Sequence, residues 1–304
     1  MTFDLGPFRD QYPFESRWLE RSGLRMHYLD EGQGEALVMV HGNPTWSWFW
    51  RSLVSELSGS YRVVVPDHIG MGLSDKPGDD RYLYTLQSRV DDLEALLDQL
   101  EIQQDITLVL HDWGGMIGLA FAARHPERIS RVILSNTAGF SLPEGAALPW
   151  QLWLIKKLPF ALPVRGLNAF CRGALRMCSR RPGALNAQTR AAYLAPYDSW
   201  AHRIAIHRFV EDIPLGPGDP AWTLVKGVES YLPKLSQLPV QVLWGELDFV
   251  FNQHFLAEWR RRLPEAEFHT FADCGHYLLE DAPQEVVWLV RDFLSRSPLT
   301  APAP

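Results

Sequence analysis

Short apolar, β-branched runs alternate with amphipathic segments over the first 135 residues, the rhythm of parallel strands joined by helical crossovers. Ser16 to Arg21 and Leu24 to Leu29 flank Ser22-Gly23 and predict an opening hairpin. Buried strands are predicted at Ala36 to Val40, Tyr61 to Val65, Ile106 to Leu110 and Arg131 to Leu134, each ending in polar or glycine-rich sequence. Between them Thr85 can cap a helix in which Leu86, Val90, Leu93, Leu97 and Leu100 make one stripe of a 3.6-residue period. That stripe should cover one face of the sheet.

The rhythm breaks from Gly139 to Gly227, where no strand-like run occurs and Trp, Pro, Leu and Arg are dense. An inserted helical cap over residues 139–227 is the expectation, between core segments 1–138 and 228–304. Trp150, Trp153, Phe160, Phe170, Tyr197, Trp200 and Trp222 carry too much apolar surface for a loop, so they should pack on the core or line a cavity beneath the cap. Alternation resumes at Val240 to Trp244 and Glu267 to Phe271, and a last helix is expected from Pro283 to Leu294. The fold class is therefore α/β, a mostly parallel sheet flanked by helices and carrying a helical insertion. Ligands of such sheets bind at the carboxyl ends of the strands.

Composition narrows the classes. The 304 residues include 36 acidic and 29 basic side chains, a formal net charge of −7, which argues against nucleic acid as a partner. With 46% hydrophobic residues the chain can bury a large core. Three cysteines, Cys171, Cys178 and Cys274, form no even framework and no zinc-ligand spacing, so a reducing cytoplasm is expected and no metal is implied. No run of 18 apolar residues and no leader-like N-terminus occurs, and neither secretion nor membrane spanning is expected.

The chemistry sits where strands end. Ile106 to Leu110 runs into His111-Asp112-Trp113-Gly114-Gly115 and then a small-residue helix, the pattern of a nucleophile elbow with Asp at its apex. Asp is also a common helix cap, so Asp112 alone does not decide between the two. Two further strands open into Gly245-Glu246-Leu247-Asp248 and Ala272-Asp273-Cys274-Gly275-His276. Nucleophile, acid and histidine thus follow in the α/β-hydrolase order, with Asp112, Asp248 and His276 in the three places. After Ala36 to Val40 comes His41-Gly42-Asn43-Pro44-Thr45-Trp46, where Asn43 and the indole N–H of Trp113 offer donors for an anion, although Asn before Pro is also an ordinary turn residue. Gly70-Met71-Gly72 has Asp75 where a dinucleotide fingerprint needs glycine and is expected to be a tight surface turn. His125, His202 and His207 are expected in structural or solvent-facing roles, and Cys171 and Cys178 in cap packing.

A carboxylate attacks an electrophilic sp³ carbon or a strained ring when the departing group leaves as a stable anion, and it forms an ester. HGNPTWSWFWR, PDHIGMGLSDKP, VLHDWGG, WGELD and the final Gly-His together resemble the haloalkane dehalogenase-like family of α/β-hydrolases, over nearly the whole chain. The resemblance implies Asp112 as nucleophile, Asn43 and Trp113 as the leaving-group pair, and His276 as base. One subgroup carries its acid after the strand preceding the cap, where this chain has Ser135-Asn136, so the resemblance points to Asp248 as the acid. HGNPTW, PDHIGMGLSDKP and RVDDLEALLDQL are more similar to the OleB-type β-lactone decarboxylases of bacterial long-chain olefin biosynthesis. Epoxide hydrolases are similar too, but Leu110 and Asn43 depart from their pattern.

The resemblance implies conversion of a cis-3-alkyl-4-alkyloxetan-2-one into a cis-alkene and CO₂, with a hydrophobic substrate, no cofactor and association with other olefin-pathway enzymes. Attack at the ring carbon and attack at the carbonyl are both open at this point. The alternatives are a haloalkane dehalogenase and, less favoured, an epoxide hydrolase or a non-catalytic scaffold.

Overall fold

The computed structural model of the chain describes residues 3–157 and 161–299, and Phe160 lies outside them. Among the described residues the apolar runs become eight strands: β1 (Arg17–Arg21), β2 (Leu24–Glu31), β3 (Ala36–Val40), β4 (Arg62–Pro66), β5 (Ile106–Asp112), β6 (Ile129–Thr137), β7 (Val240–Gly245) and β8 (Glu267–Phe271). They form one sheet in the order β1-β2-β4-β3-β5-β6-β7-β8. β2 pairs antiparallel with β1 and β4, and the remaining pairs are parallel. Every residue of β3, β5 and β7 is buried, as expected for strands covered by helices on both faces. β5 and β6 extend past their apolar runs because ladder pairing continues through His111 with Ser135 and Asp112 with Thr137.

Before the insertion lie α1 (Arg51–Leu57), α2 (Leu86–Gln99) and α3 (Trp113–Arg124). The Thr85 hydroxyl accepts the Ser88 N–H at 3.2 Å, satisfying one of the free donors at the start of α2. Leu86, Val90, Leu93 and Leu97 are buried and Leu100 is half-buried at its C-terminus. α2 packs against α3.

Between β6 and β7 come α4 (Trp150–Lys157), a π-helical turn (Leu162–Gly166), α5 (Ala169–Met177), α6 (Ala187–Leu194), α7 (Ile204–Glu211) and α8 (Trp222–Leu235). Among the described residues, 139–227 hold no strand. α8 runs through position 227 and packs against α3, so the insertion passes into the core within one helix. Of the cap aromatics, Tyr197 is buried, while Phe170 and Trp222 are half-buried. Trp153 and Trp200 are 48% and 45% exposed, against the expectation that they pack on the core or line a cavity. Gln151, Leu152, Leu154 and Ile155 occupy the inward side of α4, which turns Trp153 outward. The remaining helices are α9 (Gln253–Arg262), α10 (Leu278–Asp281) and α11 (Pro283–Arg296).

The turn at Gly70 to Gly72 is buried, not superficial. It wraps around Asp67, whose carboxylate accepts N–H groups from Ser47 at 2.7 Å and Leu73 at 2.9 Å and from the His27 ring at 2.8 Å. Burial disfavours that charge, but His27 and His41 outweigh it and hold the Asp67 carboxyl down at about 2. A buried carboxylate thereby ties Ser47, just after the His41 to Trp46 loop, to β2 and to the Gly70 to Gly72 turn.

Candidate active site

At the end of β5 the backbone of Asp112 takes φ 53° and ψ −127°, outside the regions ordinary for residues with a side chain, a strain that the surrounding packing must hold. The chain then turns directly into α3. A Cβ at Gly114 would meet the Val40 carbonyl at 1.9 Å, and one at Gly42 would meet the Asp112 carboxylate at 2.0 Å. Only glycine lets helix and loop approach the apex this closely.

Three strand ends bring the sequence-distant residues together. Asp112 Oδ1 accepts the Asn43 backbone N–H at 2.7 Å, and its Oδ2 lies 3.5 Å from His276 Nε2. His276 Nδ1 donates to Asp248 Oδ2 at 2.7 Å. All three side chains are buried. The other oxygen of Asp248 accepts the Val250 and Phe251 N–H groups at 2.7 and 3.1 Å. Asn136 donates to Asp248 Oδ2 and to the Gly245 carbonyl, each at 3.0 Å, and accepts the Gly245 N–H at 2.9 Å. The Asn136 amide thus fixes the Asp248 carboxylate against the end of β7. His111 donates to the His276 carbonyl at 2.9 Å, and the Phe251 ring stacks on His276 at 5.7 Å.

Burial raises the Asp112 pKa above the ordinary carboxylate value, against the opposing pull of His276 and of the Asn43 and Trp113 backbone N–H groups. For His276, burial works against the cation, yet the Asp248 carboxylate outweighs it and Asp112 adds to the effect, so its pKa is raised. The arrangement is a carboxylate beside an imidazole that a second carboxylate orients.

In front of Asp112 lies a cavity of about 460 Å³. Trp113, Met116, Phe140, Leu142, Trp150 and Phe170 supply apolar wall, and the charged or amide side chains on it are Asn43, Asp112, Gln151 and His276. Asn43 and Trp113 both face this space. The Asn43 amide gives one hydrogen to the Ile206 carbonyl of α7 at 3.1 Å, which leaves its second N–H for the cavity. Phe209, also on α7, sets its ring edge-on to Trp113 at 5.3 Å. Behind it the buried Arg89 lies 3.6 Å over the Phe209 ring and pairs with Asp212 at 2.8 Å. One helix, α7, therefore braces both Asn43 and Trp113. No spacing in the sequence signals Ile206, Phe209 or the Arg89–Asp212 pair, because they meet only through the insertion.

The remaining candidates sit elsewhere. His125 pairs with Glu94 at 2.8 Å and His202 with Asp198 at 2.6 Å, both toward solvent. Cys171 and Cys178 are buried, and Cys178 lines the cavity with its thiol pushed well above its ordinary value by burial. Among the described residues no group of three His, Cys, Asp or Glu is placed to hold a metal ion.

Residues 35–283 match the alpha/beta hydrolase fold family. The chain is 51% identical over 286 residues to a cis-3-alkyl-4-alkyloxetan-2-one decarboxylase of Shewanella oneidensis, covering 94% of this chain and 90% of that protein. It is 48% identical over 299 residues to the protein of the same name from Xanthomonas campestris pv. campestris, covering 95% and 98%. The chain belongs to this α/β-hydrolase family of oxetanone decarboxylases. The family's fold extends to a solved haloalkane dehalogenase, DatA from Agrobacterium tumefaciens C58, with a TM-score of 0.81, 25% identity and coverage of 93% and 97%. For this decarboxylase-family member, Gly42→Ala places a methyl group on the Asp112 oxygen and is expected to lower turnover by about 10²-fold through displacement of the Asp112 carboxylate. Steady-state kinetics with circular dichroism as a folding control checks it.

Proposed function

We propose that this chain converts a cis-3,4-dialkyl β-lactone into a cis-alkene and CO₂, with Asp112 as nucleophile. The observation that carries the reading is a strained, buried Asp on the wall of an apolar cavity, in a chain that shares about half its residues with two decarboxylases over nearly its whole length. Asp112 Oδ2 attacks the ring carbon that bears the ring oxygen. The carbon–oxygen bond of the ring breaks, its electron pair leaves on a carboxylate, and an alkyl ester of Asp112 forms. The Asn43 amide and the Trp113 indole hold that carboxylate on the side away from Asp112. Backside attack leaves the new ester oxygen and the carboxylate antiperiplanar. Loss of CO₂ then sends the carbon–carbon pair into the double bond while the ester oxygen departs with its own pair. Both alkyl groups stay on one side, so the alkene is cis.

No proton enters this balance. His276, held as a cation by Asp248 and Asp112, stabilises the carboxylate that departs in the second step, and it need not activate water. Attack at the ring carbon followed by elimination predicts that Asp112 keeps its own oxygens. After many turnovers in ¹⁸O-water, mass spectrometry of the peptide containing Asp112 should show no added mass. Incorporation of ¹⁸O would mean that the ester is hydrolysed, the course of a halide-releasing hydrolase. That second reading draws support from the Asn43–Trp113 pair, which would hold halide as readily as carboxylate.

A further inference from the structure

Charge and exposed apolar surface coincide on the cap. Between Gly145 and Tyr197 the chain has eight basic residues and no acidic one, while the rest of the chain holds all 36 acids and only 21 of the 29 bases. A chain of net charge −7 thus presents a strongly positive insertion. Lys156 is neutralised by Asp219 at 2.8 Å and Arg181 by Asp273 and Glu285 at 2.8 and 2.6 Å, but among the described residues Lys157, Arg172 and Arg176 are exposed and pair with no carboxylate.

The same insertion holds the largest exposed apolar side chains near the cavity. Trp150, Trp153 and Lys157 follow one another at i, i+3 and i+7 of α4 and are all exposed, so they form one outward helix face. Trp150 belongs at once to that face and to the cavity wall. In the adjoining turn Leu162 is exposed while Pro163 and Val164 line the cavity, and Arg165 lies 4.8 Å over the outward Trp200 ring. Tryptophans beside unpaired lysine and arginine, at the mouth of an apolar cavity, match the chemistry of a bilayer interface, where indoles enter the headgroup region and cations meet anionic lipid.

We infer that the outer face of the cap, centred on Trp150, Trp153 and Lys157, docks the protein on the surface of an anionic lipid membrane, with the cavity mouth toward the lipid. The contact is peripheral, since among the described residues no helix is long and apolar enough to cross a membrane. It goes beyond the proposed reaction, and its test reads lipid binding without turnover, so either can fail alone.

The full chain is sedimented with vesicles of phosphatidylcholine alone and of phosphatidylcholine with about 30 mol% phosphatidylglycerol. Binding to the anionic vesicles is expected at about 0.1 M salt, with most of it released at about 0.5 M. Trp153→Ser and Lys157→Glu should each weaken that binding by about tenfold, with the melting temperature and elution volume of the parent protein retained. Failure to sediment with anionic vesicles overturns the inference, as does undiminished binding by both variants. Conversion of a dimeric parent to a monomer by Trp153→Ser also overturns it, because the face would then cover a second copy of the chain.

Discussion

Asp112→Ala is expected to lower turnover of a cis-dialkyl β-lactone by at least about 10⁴-fold, roughly 5 kcal/mol of barrier. The size follows from the geometry. Among the described residues Asp112 is the one carboxylate on the cavity wall, its Oδ1 is fixed by the Asn43 N–H at 2.7 Å, and its Oδ2 is the atom left free of a backbone partner. Alanine removes the carboxylate while the close approach of Gly114 to the Val40 carbonyl, which shapes the elbow, remains. The fold should persist, because replacing a buried carboxylate whose pKa burial has raised removes an unfavourable charge. Kinetics on protein with an unchanged melting transition checks the expectation, and near-normal turnover would remove Asp112 from the mechanism.

His276→Gln is expected to lower turnover by about 10²- to 10³-fold, the size found when one preorganised charge-stabilising group is lost. It should be milder than Asp112→Ala because the proposed sequence transfers no proton, so His276 supplies only a charge. Its action falls on the second step, and the variant should accumulate an adduct on Asp112 with the mass of the intact lactone, visible in the whole-protein mass spectrum. The pH profile carries the same signature. Turnover of the parent falls as pH drops through the raised Asp112 value, where the nucleophile becomes protonated, and falls again as pH rises through the raised His276 value, where the cation is lost. His276→Gln should keep the acid limb and lose the alkaline one. A variant that retains the alkaline limb would assign that limb to another group.

Much of this architecture is legible in the sequence because strand ends carry both signals at once. At β5 the apolar run Ile106 to Leu110 announces a buried strand, and the following His-Asp-Trp-Gly-Gly announces a tight turn with Asp112 at its apex. Asp248 and His276 are readable in the same way, each just beyond a strand. What escapes is whatever depends on contacts made across the fold. The extension of β5 through Asp112 rests on pairing with β6, and the buried turn at Gly70 to Gly72 rests on the Asp67 carboxylate that it encloses. The outward Trp153 and Trp200 share their composition with the inward Tyr197, so residue type alone does not sort them. Asn136 reads in the sequence only as a missing acid, whereas in the fold it holds Asp248 and Gly245 together.

The most direct test of the central claim is to incubate the purified protein in parallel with a cis-β-lactone bearing two medium alkyl chains and with 1-bromobutane, following alkene by gas chromatography and bromide by ion chromatography. Rapid formation of the cis-alkene that Asp112→Ala abolishes, with little bromide, is the predicted result. Rapid bromide release with the lactone untouched would contradict the account and make the chain a dehalogenase.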